Sequence, residues 1–215
     1  MTNIEQFTAN GYVYVKNAID KSIVNLVSTY SLIDEKQNYS PEQGPHCQIH
    51  NSHSSYGDPL MESMLLYMLP IMEANTGLSL YPTYSYYRVY RPGAELLSHT
   101  DRPSCEVSTT ITFAFDYKEQ QDTYSWPIFM AGNKCVMQPG DLVIYRGCDL
   151  DHWREKFTAP EGSYHVQAFL HYVDANGPFS DYKWDGRPSI GYLKTSNTTQ
   201  AQIGTNTKSY ITFTD

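Results

Sequence analysis

The chain has 215 residues and a formal net charge of −8, with 23 acidic against 15 basic side chains. Its length suffices for one domain with a sizeable core, and its acidic excess makes nucleic acid an unfavoured partner, because phosphate groups would be repelled. Its longest apolar run, 65–72, is interrupted by Pro70 and is too short to cross a membrane. Four scattered cysteines without a Cys-x-x-Cys pair favour free thiols in a reducing compartment. We therefore expect a cytoplasmic protein with no membrane span and no zinc-thiolate site.

The first forty residues predict two helices around one strand. A short helix over 4–7 ends at an Asn-Gly pair, and 12–15 alternates aromatic and β-branched residues as a strand does. Asp20 is a suitable cap for a second helix that runs to about Asp34. Four apolar residues fall on one stripe of that helix, which should pack on a sheet: Ile23, Val24, Val27 and Tyr30.

A polar stretch without periodicity follows over 35–58 and predicts a long loop. It contains His46, His50 and His53, whose spacing would suit metal ligands. Because no predicted element brings them together, we expect them to face solvent or to line a substrate entrance instead. Loops of this length often act as lids, so closure over a substrate is expected here.

A third helix is predicted over 59–75, with a kink at Pro70. Its larger apolar residues repeat at helical spacing, which is more typical of a packed core than of a cofactor site. They are Met61, Met64, Leu65, Met68 and Met72.

The main chemical signal is the sequence His99-Thr100-Asp101, which follows a long aromatic strand over 80–90. Residues two apart on a strand lie on the same face. A second histidine, His152, lies about fifty residues later behind another apolar strand. Two histidines and one carboxylate form the facial set that non-haem Fe(II) uses, which leaves positions open for a cosubstrate and dioxygen. One such His-x-Asp is nearly expected by composition alone, so the prediction depends on the surrounding strands.

Four segments together resemble one known family, the 2-oxoglutarate and Fe(II)-dependent dioxygenases of the prolyl 4-hydroxylase-like branch. The resemblance is one of order and spacing over 80–173, with the helices before it in the expected place. The segments are 90–101 with the first histidine and the carboxylate, 107–115, 140–145 before the second histidine, and the final strand 164–173.

The resemblance implies a mainly β fold with flanking helices, built on a double-stranded β-helix, or cupin-like jelly roll. It implies a jelly-roll core over 80–173 within a single domain over 1–193, with a helical and loop part over 1–79. The polar stretch 194–215 would be a tail. Fe(II) would be held by His99, Asp101 and His152, and 2-oxoglutarate and dioxygen would be consumed while a peptidyl or small-molecule substrate is hydroxylated.

The sequence departs from the family at the residue that binds the far carboxylate of 2-oxoglutarate. Members carry an arginine or lysine at the start of the final strand, about ten residues past the second histidine, where this chain has none. Aligning the final strands places His165 at that position. Arg154 is the other candidate, because it should face inward with His152 and its planar fork suits a carboxylate. It could instead pair with Asp151 or Glu155 on the surface.

Two further side chains have open roles. Tyr90 matches a tyrosine whose hydroxyl the family often directs at the cosubstrate, although a core tyrosine is a comparable interpretation, and Tyr87 should face the opposite side of the strand. Arg102 could orient the substrate or orient Asp101.

A second hypothesis is a cupin-like metal-binding protein or isomerase that does not activate oxygen. The absence of the extra histidine and glutamate ligands usual in such cupins argues against it. Neither hypothesis identifies the substrate or the oligomeric state.

Overall fold

The computed structural model describes residues 1–39 and 49–192, and its first two helices lie where the sequence predicts them. Helix α1 (Asn3–Asn10) begins with a capping box between Thr2 and Glu5. Strand β1 (Tyr12–Val15) follows. Helix α2 (Lys21–Asn38) begins at Asp20, whose carboxylate accepts a hydrogen bond from the Ser22 backbone. These predictions are confirmed, although α2 continues past Asp34.

The third helix, α3 (Pro59–Thr76), is continuous through Pro70. Asp58 caps its start, and Gly77 ends it in the left-handed conformation that glycine adopts easily. Its apolar stripe is buried against the sheet, which confirms that the methionines belong to the core. Each fully buried methionine or leucine stabilises the fold by about 1.5–3 kcal/mol. In the part of the chain that the structure describes, no helix has the length and apolar character that crossing a bilayer requires.

The predicted loop over 35–58 is partly wrong. Its first residues extend α2, where Glu35 is buried and forms an ion pair with Arg91. Near its end lies strand β2 (Ser52–Tyr56), which pairs antiparallel with the strand after α3. The sequence Ser-His-Ser-Ser-Tyr lacks apolar alternation because β2 lies at a sheet edge and is held by backbone pairing and polar contacts.

The histidines of that stretch differ in environment. His53 is buried on β2, where its Nε2 lies 2.8 Å from an Asp34 carboxylate oxygen, so its expected exposure is wrong. His50 is exposed. His46 lies outside the described residues. So do the rest of 40–48, the middle of the stretch 35–58 in which a lid was expected, and the whole of the expected tail, 194–215.

In the part of the chain that the structure describes, ten strands form two antiparallel sheets. The strands not yet named are β3 (Leu80–Tyr90), β4 (Leu96–His99), β5 (Val107–Asp116), β6 (Ile128–Met130), β7 (Asn133–Cys135), β8 (Leu142–Arg146), β9 (His152–Arg154) and β10 (Tyr164–Asp174). The larger sheet has the order β1-β8-β5-β10-β3-β2 and the smaller β4-β9-β6-β7, which is the arrangement of a double-stranded β-helix and confirms the expected fold class.

The two faces of β3 serve different purposes. Val89 and Tyr87 point outward, into the core beneath the helices. Tyr86, Arg88 and Tyr90 point inward, between the two sheets, where they line a cavity. This alternation places Tyr87 and Tyr90 on opposite sides, as the sequence predicts.

A 3-10 segment over Ser180–Gly186 follows the last strand and packs beside β3. Trp184 and Asp185 within it have left-handed backbones, with φ of 59° and 55°. Just beyond, Arg187 forms a buried ion pair with Glu62 of α3, with 3.0 Å between nitrogen and oxygen. These contacts fix the segment against β3 and α3.

Candidate metal centre

His99, Asp101 and His152 converge at one end of the cavity between the sheets. His99 ends β4 and His152 begins β9, and these two residues are direct partners in the antiparallel pair. Asp101 Oδ1 lies 3.7 Å from His99 Nε2 and 3.6 Å from His152 Nε2. The three ligand atoms lie within 4.8 Å of one another, close enough to bind a single metal ion.

Both histidine rings are oriented by backbone carbonyls. His99 Nδ1 lies 2.9 Å from the Leu97 oxygen, and His152 Nδ1 lies 3.0 Å from the Leu150 oxygen. Because a carbonyl only accepts hydrogen bonds, each Nδ1 must carry the proton. Each Nε2 therefore presents a lone pair towards Asp101, as a metal ligand requires.

The carboxylate of Asp101 is buried, and one of its oxygens is not satisfied. Its Oδ2 has no hydrogen-bond partner in the described structure. Burial raises its pKa to about 6, although the nearby His99 and Arg102 and the hydroxyls of Tyr145 and Ser108 partly oppose this. A buried carboxylate without compensation is costly, and a divalent cation at this position would compensate it. The donor set of two imidazole nitrogens and one carboxylate fits Fe(II).

A second group, Asp101, Cys105 and His171, is also close enough to hold a metal. However, burial raises the pKa of the Cys105 thiol to about 12, which makes the thiolate that would bind a metal unfavourable. The thiol instead contacts the Tyr84 hydroxyl at 3.0 Å. The set with two histidines and one carboxylate is therefore the better metal site.

The three candidate ligands open into a cavity of about 390 Å³. Six of the sixteen described residues that line it are aromatic, which favours an organic ligand. Two arginines, Arg88 and Arg102, supply positive charge. The aromatic residues are Tyr56, Tyr84, Tyr86, Tyr90, Tyr145 and Phe169.

Arg102 is bound to the segment after the last strand. Its Nη1 and Nη2 donate to the two carboxylate oxygens of Asp185 at 2.6 and 2.9 Å. Asp185 is buried and also accepts a hydrogen bond from the Tyr56 hydroxyl at 2.7 Å. Asp185 thus neutralises the charge of Arg102 within the protein. The same contact holds the Arg102 side chain in place beside Asp101.

Tyr90 lies in the cavity wall, and its hydroxyl is buried without a hydrogen-bond partner in the described part of the chain. Burial raises its pKa, while the positive charges of Arg88 and Arg154 act in the opposite direction. The hydroxyl is therefore available to a ligand, in a positive environment.

Arg154 is only 1% exposed and lies over the Trp126 ring, which excludes the alternative of a surface pairing with Asp151 or Glu155. Its Nη1 donates to the Trp126 carbonyl at 2.6 Å and its Nη2 to the Gln167 side chain at 3.1 Å. Among residues 1–39 and 49–192, no carboxylate oxygen lies within 4 Å of its nitrogens. Arg154 is not part of the cavity wall.

His165 is buried at the start of β10, as the alignment of final strands predicted, but it is neutral. Burial first, and the charge of Arg154 second, hold its pKa well below the ordinary range. Its Nε2 lies 2.9 Å from the Gln167 side-chain oxygen and its Nδ1 2.8 Å from the Tyr117 hydroxyl. His165 does not line the cavity. It cannot supply charge for a carboxylate.

Arg88, Gln167 and Asp185 were missed by reasoning from sequence. Arg88 lies two residues before Tyr90, so alternation along β3 could have placed it on the same inward face. No local pattern connects Asp185 with Arg102, because the two are 83 residues apart.

Gly147 supports the position of Asp101, and replacing it with alanine should weaken metal binding. The Gly147 carbonyl accepts a hydrogen bond from the Asp101 backbone at 2.8 Å. A Cβ would lie 2.5 Å from Asp101 Oδ2 and closer still to the Cys105 carbonyl, so the Asp101 loop must move. We expect Gly147→Ala to lower Fe(II) affinity about 10-fold or more, the scale seen when supporting contacts are lost.

Anaerobic Fe(II) titration would measure this effect, with Gly132→Ala as the control. Gly132 has a positive φ of 83°, but its Cβ would meet nothing within 4 Å. The control should lose some stability and keep its metal affinity. Equal Fe(II) affinities in Gly147→Ala and the parent protein would show that the loop adapts without moving Asp101.

No protein-family model matches the sequence, and no curated protein matches it. Solved structures do match. A Pseudomonas putida prolyl-4-hydroxylase is similar with a TM-score of 0.59 and 16% identity, covering 78% of this chain and 96% of that one. The non-haem alpha-ketoglutarate-dependent carbocyclase SnoK, from nogalamycin biosynthesis, has a TM-score of 0.64 and 15% identity, with coverages of 80% and 83%.

HygX from Streptomyces hygroscopicus, solved with nickel and 2-oxoglutarate bound, is also similar. Its TM-score is 0.58 at 10% identity, covering 81% of this chain and 87% of HygX. The chain therefore has the fold of the 2-oxoglutarate and Fe(II)-dependent oxygenases, prolyl hydroxylases among them. The fold implied by the sequence resemblance is confirmed.

Proposed function

We propose that the protein is an Fe(II)- and 2-oxoglutarate-dependent dioxygenase that hydroxylates a peptidyl or small-molecule substrate. The observation that carries this proposal is the convergence of His99, Asp101 and His152 at the mouth of a jelly-roll cavity. The fold shared with 2-oxoglutarate-dependent enzymes supports it. The metal ligands in this proposal are those three side chains.

The reaction consumes one substrate C–H bond, one 2-oxoglutarate and one dioxygen, and yields the hydroxylated substrate, succinate and CO2. Of the electrons that reduce dioxygen, one pair would come from decarboxylation of 2-oxoglutarate and the other from the substrate C–H bond, with bound Fe(II) holding the keto acid where dioxygen reacts. The chain's own contribution is positional. His99 and His152 direct their Nε2 lone pairs to one point, and Asp101 supplies a negative charge there.

The far carboxylate of 2-oxoglutarate would lie at the Tyr90 end of the cavity. Tyr90 offers an unused hydroxyl donor, and Arg154 contributes positive charge without a carboxylate of its own within 4 Å in the described structure. His165 would act as a neutral member of the supporting network, because it holds the Gln167 side chain that Arg154 also contacts.

The aromatic cavity wall supports an organic substrate with apolar surface. Of the similar structures, one is a prolyl hydroxylase in complex with a peptide fragment and another is HygX with hygromycin B bound, so both kinds of ligand are represented on this fold. The three described cysteines, Cys105, Cys135 and Cys148, are free thiols, which favours the cytoplasm as the place of action.

The proposal predicts a specific spectrum. Anaerobic addition of Fe(II) and then 2-oxoglutarate should give a weak visible charge-transfer band, because the keto acid chelates iron at the positions that the three ligands leave open. Admission of oxygen with a library of peptides and metabolites should release succinate when a true substrate is present. His152→Ala is the matched control and should give neither signal.

A cupin-like metal protein would behave differently. It would bind a metal but give no band with 2-oxoglutarate and release no succinate. That outcome would reject the oxygenase proposal while leaving the metal site intact.

A further inference from the structure

If the protein binds 2-oxoglutarate as proposed, a positively charged side chain must meet the carboxylate that lies far from the metal. The cavity wall contains two arginines, Arg88 and Arg102. Arg102 already has both terminal nitrogens on Asp185, at 2.6 and 2.9 Å, and lies beside the metal ligand Asp101. A carboxylate at the opposite end of the cosubstrate must meet a different cation.

Arg88 lies four residues along β3 from Tyr84, the residue whose ring Arg102 covers at 4.6 Å, so it is displaced from the metal ligands along the cavity wall. It is 4% exposed, points inward from β3 and stacks over the Tyr86 ring at 5.0 Å. It lies two residues before Tyr90 on the same face of the strand. The Tyr90 hydroxyl, which lacks a hydrogen-bond partner in the described structure, is within reach of the positive charge of Arg88. An anion placed here would meet a guanidinium and a hydroxyl donor together.

The neighbouring final strand carries no charge at this level. In the register of β10 with β3, Gln167 lies opposite Arg88 and His165 lies opposite Tyr90. Gln167 is uncharged, and its side-chain oxygen already accepts hydrogen bonds from Arg154 and Thr112. The positive charge that was expected on β10 is therefore present on its neighbour β3, at Arg88, directly opposite Gln167.

Arg154 is less well placed for direct contact. Both of its terminal nitrogens already donate to protein oxygens, and the residue is not part of the cavity wall. Its charge reaches Tyr90 from outside the cavity.

We propose that Arg88, together with the Tyr90 hydroxyl, binds the far carboxylate of 2-oxoglutarate, and that Arg154 reinforces this anion site without touching the ligand. The cation then comes from β3 and not from the final strand, β10.

Binding of two keto acids to the anaerobic Fe(II) protein tests this assignment. 2-Oxoglutarate carries the far carboxylate, whereas 2-oxopentanoate has a methyl group in its place and chelates iron in the same way. Titrations of the charge-transfer band give the affinity of each without turnover. Arg88→Gln should weaken 2-oxoglutarate on the order of 100-fold, the effect of losing a hydrogen-bonded charge, and should leave 2-oxopentanoate unchanged.

Three further variants sharpen the result. Arg146→Gln removes the same charge from β8, outside the cavity wall, and should change neither affinity. Tyr90→Phe should weaken 2-oxoglutarate by about 10-fold and spare 2-oxopentanoate. Arg88→Lys keeps the charge and should retain part of the preference for 2-oxoglutarate, which provides a result even if Arg88→Gln does not fold.

Other outcomes would overturn the assignment. Equal weakening of both keto acids in Arg88→Gln would show a general effect on the cavity. A selective loss in Arg154→Gln with no loss in Arg88→Gln or Arg88→Lys would assign the carboxylate to Arg154. Absence of the band from the parent protein with both keto acids would instead reject the proposed function itself, and this assignment with it.

Discussion

Replacing Asp101 with alanine should abolish tight Fe(II) binding and reduce turnover to background. Two imidazoles remain in that variant, and a site with one ligand of three missing competes poorly with water for Fe(II). Asp101 is also the only anionic member of the set, so its loss leaves the cation without a counter-charge. Because its Oδ2 lacks a hydrogen-bond partner in the described structure, the fold itself should lose little stability.

Equilibrium metal binding and thermal unfolding of the metal-free protein would measure both parts of this prediction. Asp151→Ala is the matched control, because Asp151 is exposed, adjoins His152 and belongs to neither metal-binding group. Fe(II) affinity in Asp101→Ala equal to that of Asp151→Ala would remove Asp101 from the metal site.

Replacing Arg187 with methionine should lower the free energy of unfolding by about 3–5 kcal/mol, since breaking one side of a buried ion pair leaves a buried charge behind. The Arg187 and Glu62 side chains are almost completely buried, with 3.0 Å between Nη1 and the carboxylate oxygen. Arg187 also donates to the carbonyls of Thr83 and Tyr192. Arg187 thus connects the segment after β10 to both α3 and β3.

Urea denaturation of the metal-free protein would give this value, with Lys118→Met as the control. Lys118 pairs with Asp116 at 2.8 Å, but both side chains are more than a third exposed. An exposed pair contributes about 0–1 kcal/mol. A loss in Arg187→Met as small as that of the control would mean that water or a rearranged partner compensates Glu62.

The elements with strong local signals were predictable. Helix caps such as Asp20 act through their own neighbours, and the strand over 80–90 has a long run of aromatic and β-branched residues. The candidate metal ligands were predicted from His99 and Asp101 being two apart, together with the apolar strand before His152, and the structure brings the three side chains together. The sequence could not show that His99 and His152 are direct strand partners, because that register depends on the packing of both sheets.

The remaining features depend on contacts between distant residues. Strand β2 has no strand-like sequence and forms because β3 offers it a free edge. The neutral state of His165 results from burial and from Arg154, neither of which a local pattern reveals. The role of Arg88 becomes apparent only when the cavity wall is known, since an inward arginine and a surface arginine look the same in sequence.

The division of β3 into a face beneath the helices and a face lining the cavity has an evolutionary consequence. The side chains that stabilise the fold, such as Val89 and the methionines of α3, are separate from those that meet a ligand, such as Tyr86. Substitutions in the ligand-facing row can therefore alter which molecule is accepted at little cost to folding. A lineage carrying this scaffold can change its chemistry through a handful of inward positions while its hydrophobic layer stays constant.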